Sequence, residues 1–114
     1  MSGIQRLRTE EELNVLLESS KDAGVFIFKH STSCPISAHA YEEVKKFIRK
    51  GHHGEVIGLI LVIEDRSLSQ GIAKRFGIKH ESPQTLYIKE GTHVAWDASH
   101  GEITEENLEK AKQT

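Results

Sequence analysis

One side chain in this 114-residue sequence can act as a soft nucleophile: Cys34, the only cysteine. It stands where an apolar run, Gly24-Val25-Phe26-Ile27-Phe28, passes through Lys29-His30-Ser31-Thr32-Ser33 into a helical pattern that begins Cys34-Pro35-Ile36-Ser37. A helix N-terminus carries roughly half a positive charge from aligned peptide dipoles and free N–H groups, so a sulfur placed there is favoured as thiolate. The thiolate is the form that attacks disulfides. Pro35 suits the first helical position, where its missing N–H costs no hydrogen bond and its fixed φ is already helical. Ser37 is placed to offer its hydroxyl or its backbone N–H to the thiolate. His30, at the strand-to-loop junction, is a further candidate, because a charged imidazole near the sulfur would favour the thiolate. Free cysteines are commonly buried small hydrophobes. Cys34 lies off any apolar stripe, between Ser33 and Pro35, and that position argues for chemistry.

The seven histidines invite a metal reading, yet no pair stands at helical spacing beside a carboxylate in a zinc-like pattern. His52-His53 reads as a solvated loop, and His39 as an exposed helix residue. No metal site and no tightly bound cofactor is expected, since there is neither a phosphate-binding glycine loop nor a cofactor fingerprint.

The elements that must hold Cys34 follow from periodicity. Thr9-Glu10-Glu11-Glu12 has the form of a capping box opening a first helix. Leu13, Leu16 and Leu17 give that helix its apolar face, and Asp22-Ala23-Gly24 its stop, with Gly24 as terminator. Val25 to Lys29 is apolar on both faces, as a central strand covered on both sides would be. A second helix from Cys34 carries Ala40, Val44, Phe47 and Ile48 in one stripe and ends at Gly51. After the loop His52-His53-Gly54, Glu55 to Glu64 reads as a second buried strand parallel to the first, which makes a βαβ unit. Asp65-Arg66-Ser67 offers caps for a third helix with Leu68, Ile72, Ala73 and Phe76, closed by Gly77. Thr85–Lys89 and His93–Asp97 flank Glu90-Gly91-Thr92 as an antiparallel hairpin. A last helix opens at Thr104, with Ile103 and Leu108 placed as a hydrophobic staple.

Length allows one domain, residues 1–114, with one core of ordinary size. Hydrophobic residues at 37% and charged residues at 28% describe a globular chain, and a net charge of −2 gives no reason to expect nucleic acid or an anionic membrane as partner. The longest aliphatic stretch, Val56 to Ile63, is far short of the roughly 20 residues a membrane helix needs. Met1-Ser2-Gly3-Ile4-Gln5-Arg6 lacks the apolar core of a secretory signal, so a cytoplasmic location is expected. A single cysteine allows no internal disulfide. Any disulfide at Cys34 therefore takes its partner from another molecule.

The order helix, strand, helix, strand, helix, strand, strand, helix, with Cys34-Pro35 opening the second helix and Pro83 just before the hairpin, resembles the thioredoxin fold. That resemblance implies an α/β chain in three layers, α/β/α, around a central mixed sheet of about four strands. In that superfamily the active loop ends in Cys-x-x-Cys or Cys-x-x-Ser, and Cys34-Pro35-Ile36-Ser37 is of the monothiol kind. Ser82-Pro83-Gln84-Thr85 is similar to the family's cis-proline loop, which implies that Pro83 is cis and that Ser82 contacts an extended substrate. Thr32-Ser33-Cys34-Pro35-Ile36-Ser37, with the strand before it, more narrowly resembles the YtxJ type of bacilliredoxin-like protein, small bacterial proteins associated with bacillithiol. The resemblance implies that Cys34 removes bacillithiol, acting as a small-thiol co-substrate, from oxidised client proteins, with Pro35 and Ser37 in support and Ser33, Ser82 and Pro83 at the substrate. Two departures from dithiol thioredoxins matter: Ser33 replaces the tryptophan before the cysteine, and Ser37 replaces the resolving thiol, so a second small thiol must clear the mixed disulfide. Two rival expectations are an iron–sulfur carrier like monothiol glutaredoxins, against which Pro35-Ile36-Ser37 stands in place of Gly-Phe-Ser, and a non-catalytic stress-response protein whose thiol is merely modified.

Overall fold

Among the described residues, five strands and four helices follow one another as β1 (Gly3–Arg6), α1 (Glu10–Ser19), β2 (Val25–His30), α2 (Pro35–Arg49), β3 (Val56–Leu61), α3 (Arg66–Phe76), β4 (Gln84–Lys89), β5 (His93–Ser99) and α4 (Glu105–Ala111). This computed structural model describes residues 3–19, 21, 23–50 and 56–114. The expected stop at Asp22, the helix end at Gly51, the loop His52-His53-Gly54 and the strand start at Glu55 lie outside the described residues.

The strands form one mixed sheet in the order β1-β3-β2-β4-β5. β2 and β3 are parallel neighbours joined through α2, the βαβ unit that periodicity predicts. β4 runs antiparallel to β2, and β5 antiparallel to β4. β2 is therefore central, and all six of its residues are buried. Its alternation divides them between the two faces of the sheet. Phe26 and Phe28 join Val44 and Phe47 of α2 and Leu108 and Ala111 of α4 on one side. Val25 and Ile27 join Leu13, Leu16 and Leu17 of α1 and Leu68 and Ile72 of α3 on the other. The result is the three-layer arrangement expected.

Capping chemistry sets the helix boundaries. The Glu12 backbone N–H donates to the Thr9 hydroxyl at 3.1 Å, and the Glu12 carboxylate accepts from the Thr9 N–H at 3.2 Å, a complete capping box. Thr104 caps α4 by accepting from the Asn107 N–H at 3.1 Å, and its staple residues Ile103 and Leu108 are both fully buried. Gly77 ends α3 in the left-handed region with φ 66°. In the three-residue hairpin loop Glu90-Gly91-Thr92, Glu90 and Gly91 both have positive φ, 59° and 78°, and the Thr92 N–H closes the turn onto the Lys89 carbonyl at 3.3 Å.

Three expectations need correction. The sheet has five strands rather than about four, because Gly3–Arg6 pairs with β3 along its outer edge. Ile4 is the only large apolar side chain in that strand, so it shows almost no periodicity. Gly24 does not terminate α1, which ends at Ser19. A Cβ at Gly24 would meet the Tyr87 ring at 2.2 Å, and this glycine is there for a close approach. Asp65 holds the cap position of α3 without making a side-chain cap; its carboxylate pairs with Arg6 at 3.1 Å instead.

Candidate functional site

The parallel register of β2 and β3, and the antiparallel register of β4, bring the singled-out residues to one end of the sheet. Lys29 is opposite Gln84 in the β2–β4 ladder. Ser82-Pro83, just before Gln84, therefore lies alongside the chain leaving β2 toward Cys34. The Ser82–Pro83 peptide bond is cis. Pro83 is buried, and its carbonyl accepts from the His100 N–H at 3.0 Å, which ties the loop to the end of β5.

Cys34 is the N-cap residue of α2, in extended conformation (φ −110°, ψ 121°), and is half-buried. Pro35 is the first helical residue. The Cys34 carbonyl accepts the first helical bond, from the Ala38 N–H at 3.0 Å, and its own N–H donates back to the Ser31 carbonyl at 3.3 Å. Its side chain makes no capping bond. The first turn thus presents amide protons and the positive end of the dipole with no oxygen from the cap residue to satisfy them. Ser33 is exposed beside it.

Ser37, one turn into α2, is fully buried. Its hydroxyl accepts from the Ser31 N–H at 2.9 Å and shares a 2.7 Å hydrogen bond with Nδ1 of His30. The oxygen expected to serve the sulfur is instead a clamp holding the end of β2, the loop and the first turn of α2 together. His30 is 5% exposed, with its ring between those of Phe28 and Tyr41 at centroid distances of 5.5 and 4.8 Å. Burial lowers its pKa; Glu64 raises it and Lys45 lowers it, both more weakly than burial acts. The imidazole is therefore neutral at pH 7, and the expected charged partner for the sulfur gives way to a positioning one. Replacing Ser37 with alanine is expected to cost about 1–3 kcal/mol, since it strands the Ser31 N–H and the buried Nδ1 of His30. Urea denaturation reads this, and an unchanged midpoint would show that the hydroxyl does not hold the loop.

One residue escapes sequence reasoning. Lys29, the penultimate residue of the site's supporting strand, is completely buried, and burial pulls its pKa down to about 8. Its ammonium lies 3.2 Å from Nδ1 of His80, and no carboxylate pairs with it among the described residues. The signal available was a charged residue ending a run otherwise read as apolar on both faces. No group of three or more His, Cys, Asp or Glu side chains converges as a metal centre would, among the described residues. No described helix is long and apolar enough to cross a membrane.

The family model for the monothiol bacilliredoxin BrxC matches residues 5–108. The chain belongs to the BrxC bacilliredoxin family. A solved structure of a candidate oxidoreductase with a thioredoxin fold is 35% identical to it, with a TM-score of 0.86 over 95% of this chain and 92% of that one. Mitochondrial thioredoxin 3 of Saccharomyces cerevisiae, in its oxidised form, is 18% identical with a TM-score of 0.73, covering 96% and 93% of the two chains. At that identity the likeness shows the fold alone. The bacilliredoxin assignment and the thioredoxin-like fold together establish a thiol redox role for the chain, and the family is one of monothiol proteins, in keeping with a single cysteine.

Proposed function

We propose that this bacilliredoxin removes bacillithiol from oxidised client proteins through Cys34. The observation that carries the reading is the placement of the only thiol at the uncapped N-terminus of α2, at the same end of the sheet as the cis-Pro83 loop. The Cys34 thiolate attacks the bacillithiol sulfur of a client mixed disulfide. The client sulfur leaves as thiolate and takes up a proton from solvent, and bacillithiol remains on Cys34. A second bacillithiol thiolate then attacks the bound bacillithiol sulfur, giving bacillithiol disulfide and restoring the Cys34 thiolate. The Ser37 hydroxyl contributes to neither attack. Together with His30 it fixes the loop that aims the sulfur. Ser33, Ser82 and Pro83 form the platform against which the mixed disulfide lies, with the Ser82 backbone as the main contact. Small thiols and oxidised proteins are the partners, the compartment is the reducing cytoplasm, and residues 1–114 act as one domain.

The test is intact mass of the reduced protein after exposure to a bacillithiol-adducted client, with a glutathione-adducted client in parallel. A gain of one bacillithiol, matched by release of client thiol, is the expected result. No gain with either client would turn the reading toward a modified, non-catalytic thiol.

A further inference from the structure

A cavity of about 240 Å³ opens beside the site, lined by Val62 and Ile63 after β3, by Arg66, Ser69 and Gln70 of α3, and by His80 ahead of the cis-proline loop. Its position follows from the topology. α2 leaves β2 toward one face of the sheet and α3 leaves the adjacent parallel β3 toward the other, so a crevice must form between the carboxyl ends of the two strands. Open α/β sheets place their ligands in such a crevice. The cavity is coupled directly to the Cys34 loop, since the Val62 N–H donates to the His30 carbonyl at 3.0 Å.

Its polar groups share one character. The Ser69 hydroxyl is buried and has no hydrogen-bond partner, although a hydroxyl left unpaired in a protein interior is costly. Arg66 and His80 contribute cationic or neutral donors, and none of the lining residues is acidic. Behind His80 lies the fully buried Lys29 ammonium, which has three protons to donate and the single described partner His80. Asp65 is turned away in its pair with Arg6, and Glu81 faces Lys79 and His100 at 3.8 and 3.6 Å. A cluster of donors with a buried cation and an orphan hydroxyl is complementary to a small anion. The volume is below the roughly 300–1,000 Å³ of clefts that enclose a whole drug-sized ligand, and it suits a terminal group of a larger one.

We propose that this cavity is a carboxylate subsite, holding a carboxylate of the small thiol whose sulfur reacts at Cys34, with Arg66 and Ser69 as its donors and the Lys29 ammonium behind His80 adding positive charge. This rests on the thiol-transfer reading above for the identity of the ligand. The subsite gives the second, resolving thiol or the thiol borne by a client a fixed point of attachment away from the sulfur, and so selects small thiols by the placement of their negative charge.

The test uses S-methylbacillithiol, whose blocked sulfur cannot exchange, titrated into the 15N-labelled reduced protein. Saturable shifts at the Val62, Ser69 and His80 amides are expected, with affinity at least about tenfold weaker in Lys29→Met, also weakened in Ser69→Ala, and lost when the carboxylates are methyl esters. Two variants are used so that a folding defect in one leaves the other to decide. Equal affinity in both variants, equal affinity of the ester, or shifts confined to other residues overturns the proposal. Inorganic phosphate binding as tightly at the same amides also overturns it, in favour of a general anion pocket. Because the probe cannot react, its binding is read independently of transfer. Transfer without binding in the cavity removes the subsite alone, and binding without transfer removes only the catalytic reading.

Discussion

Replacing Cys34 with serine is expected to abolish bacillithiol uptake while making the fold more stable. The loss follows from chemistry: a serine hydroxyl is essentially un-ionised at neutral pH, and no second thiol exists in the chain to replace it. The fall should be at least about 10³-fold, well inside the roughly 10⁶-fold loss seen when a covalent nucleophile is removed from a hydrolase. The gain follows from geometry. Cys34 holds the N-cap position with extended φ and ψ and makes no capping bond, whereas serine is among the most favoured residues there and adds about 0.5–2 kcal/mol relative to a non-capping residue. The helix start has been left uncapped by oxygen, and its amide protons remain for sulfur. Client-thiol release and a thermal melt on the same sample read both effects. Uptake of bacillithiol by the serine variant would end the assignment of Cys34, and a lower melting temperature would end the argument about the vacant cap.

The second large effect concerns Lys29. Its folded pKa of about 8 lies below the ordinary 10.5, with burial as the cause. Between those two values the unfolded chain binds more protons than the folded one, so stability rises with pH across that interval. Below about pH 8 the ammonium is charged in both states and the full burial cost is borne by the fold. A tenfold change in proton affinity corresponds to about 1.4 kcal/mol, so the fall from 10.5 to about 8 amounts to roughly 3 kcal/mol. Lys29→Met keeps the unbranched length and removes the charge. It is expected to raise stability at pH 7 by an amount of this order and to flatten the rise from pH 8 to 10. Removal of buried charge in favour of apolar groups of similar volume is often stabilising. Lys21 and Lys50 are held above the usual lysine range by Glu18 and Glu105, and their contributions fade only above that interval. Urea denaturation at pH 7, 8, 9 and 10 measures the profile. A flat wild-type curve, or a variant with the same slope as the wild type, would show that the buried amine carries no such cost.

The elements legible in the sequence are those whose signals are local and strong. The box at Thr9 and Glu12, the staple at Ile103 and Leu108, and the apolar stripe of α2 each depend on residues close to one another in the chain, and each is present as expected. The resemblance carried by Cys34-Pro35-Ile36-Ser37 and Ser82-Pro83 supplied the three-layer order and the cis peptide. What escaped depends on contacts between distant segments. β1 is held by pairing with β3, more than fifty residues away, and not by its own pattern. The role of Gly24 is set by Tyr87, and the Asp65 side chain is claimed by Arg6 from the first strand. Within the site, the thiol and its helix were readable, but the His30–Ser37 clamp was not. Helical spacing says which residues share a face and nothing about which side chain bends back to a preceding strand.

That clamp bears on how a monothiol protein of this kind can change its chemistry over evolutionary time. A single base change converts a serine codon to a cysteine codon, and position 37 is where a second thiol would make the chain self-resolving. Sulfur is a weak hydrogen-bond acceptor, so a cysteine there would not replace the oxygen that receives the Ser31 N–H at 2.9 Å and meets His30 at 2.7 Å. Gaining the second thiol alone would loosen the loop that aims the first. The route from one-thiol to two-thiol chemistry therefore passes through a less stable ancestor unless position 30 changes as well, and dependence on an external small thiol is protected by the wiring of the strand end as much as by selection on the cysteine itself.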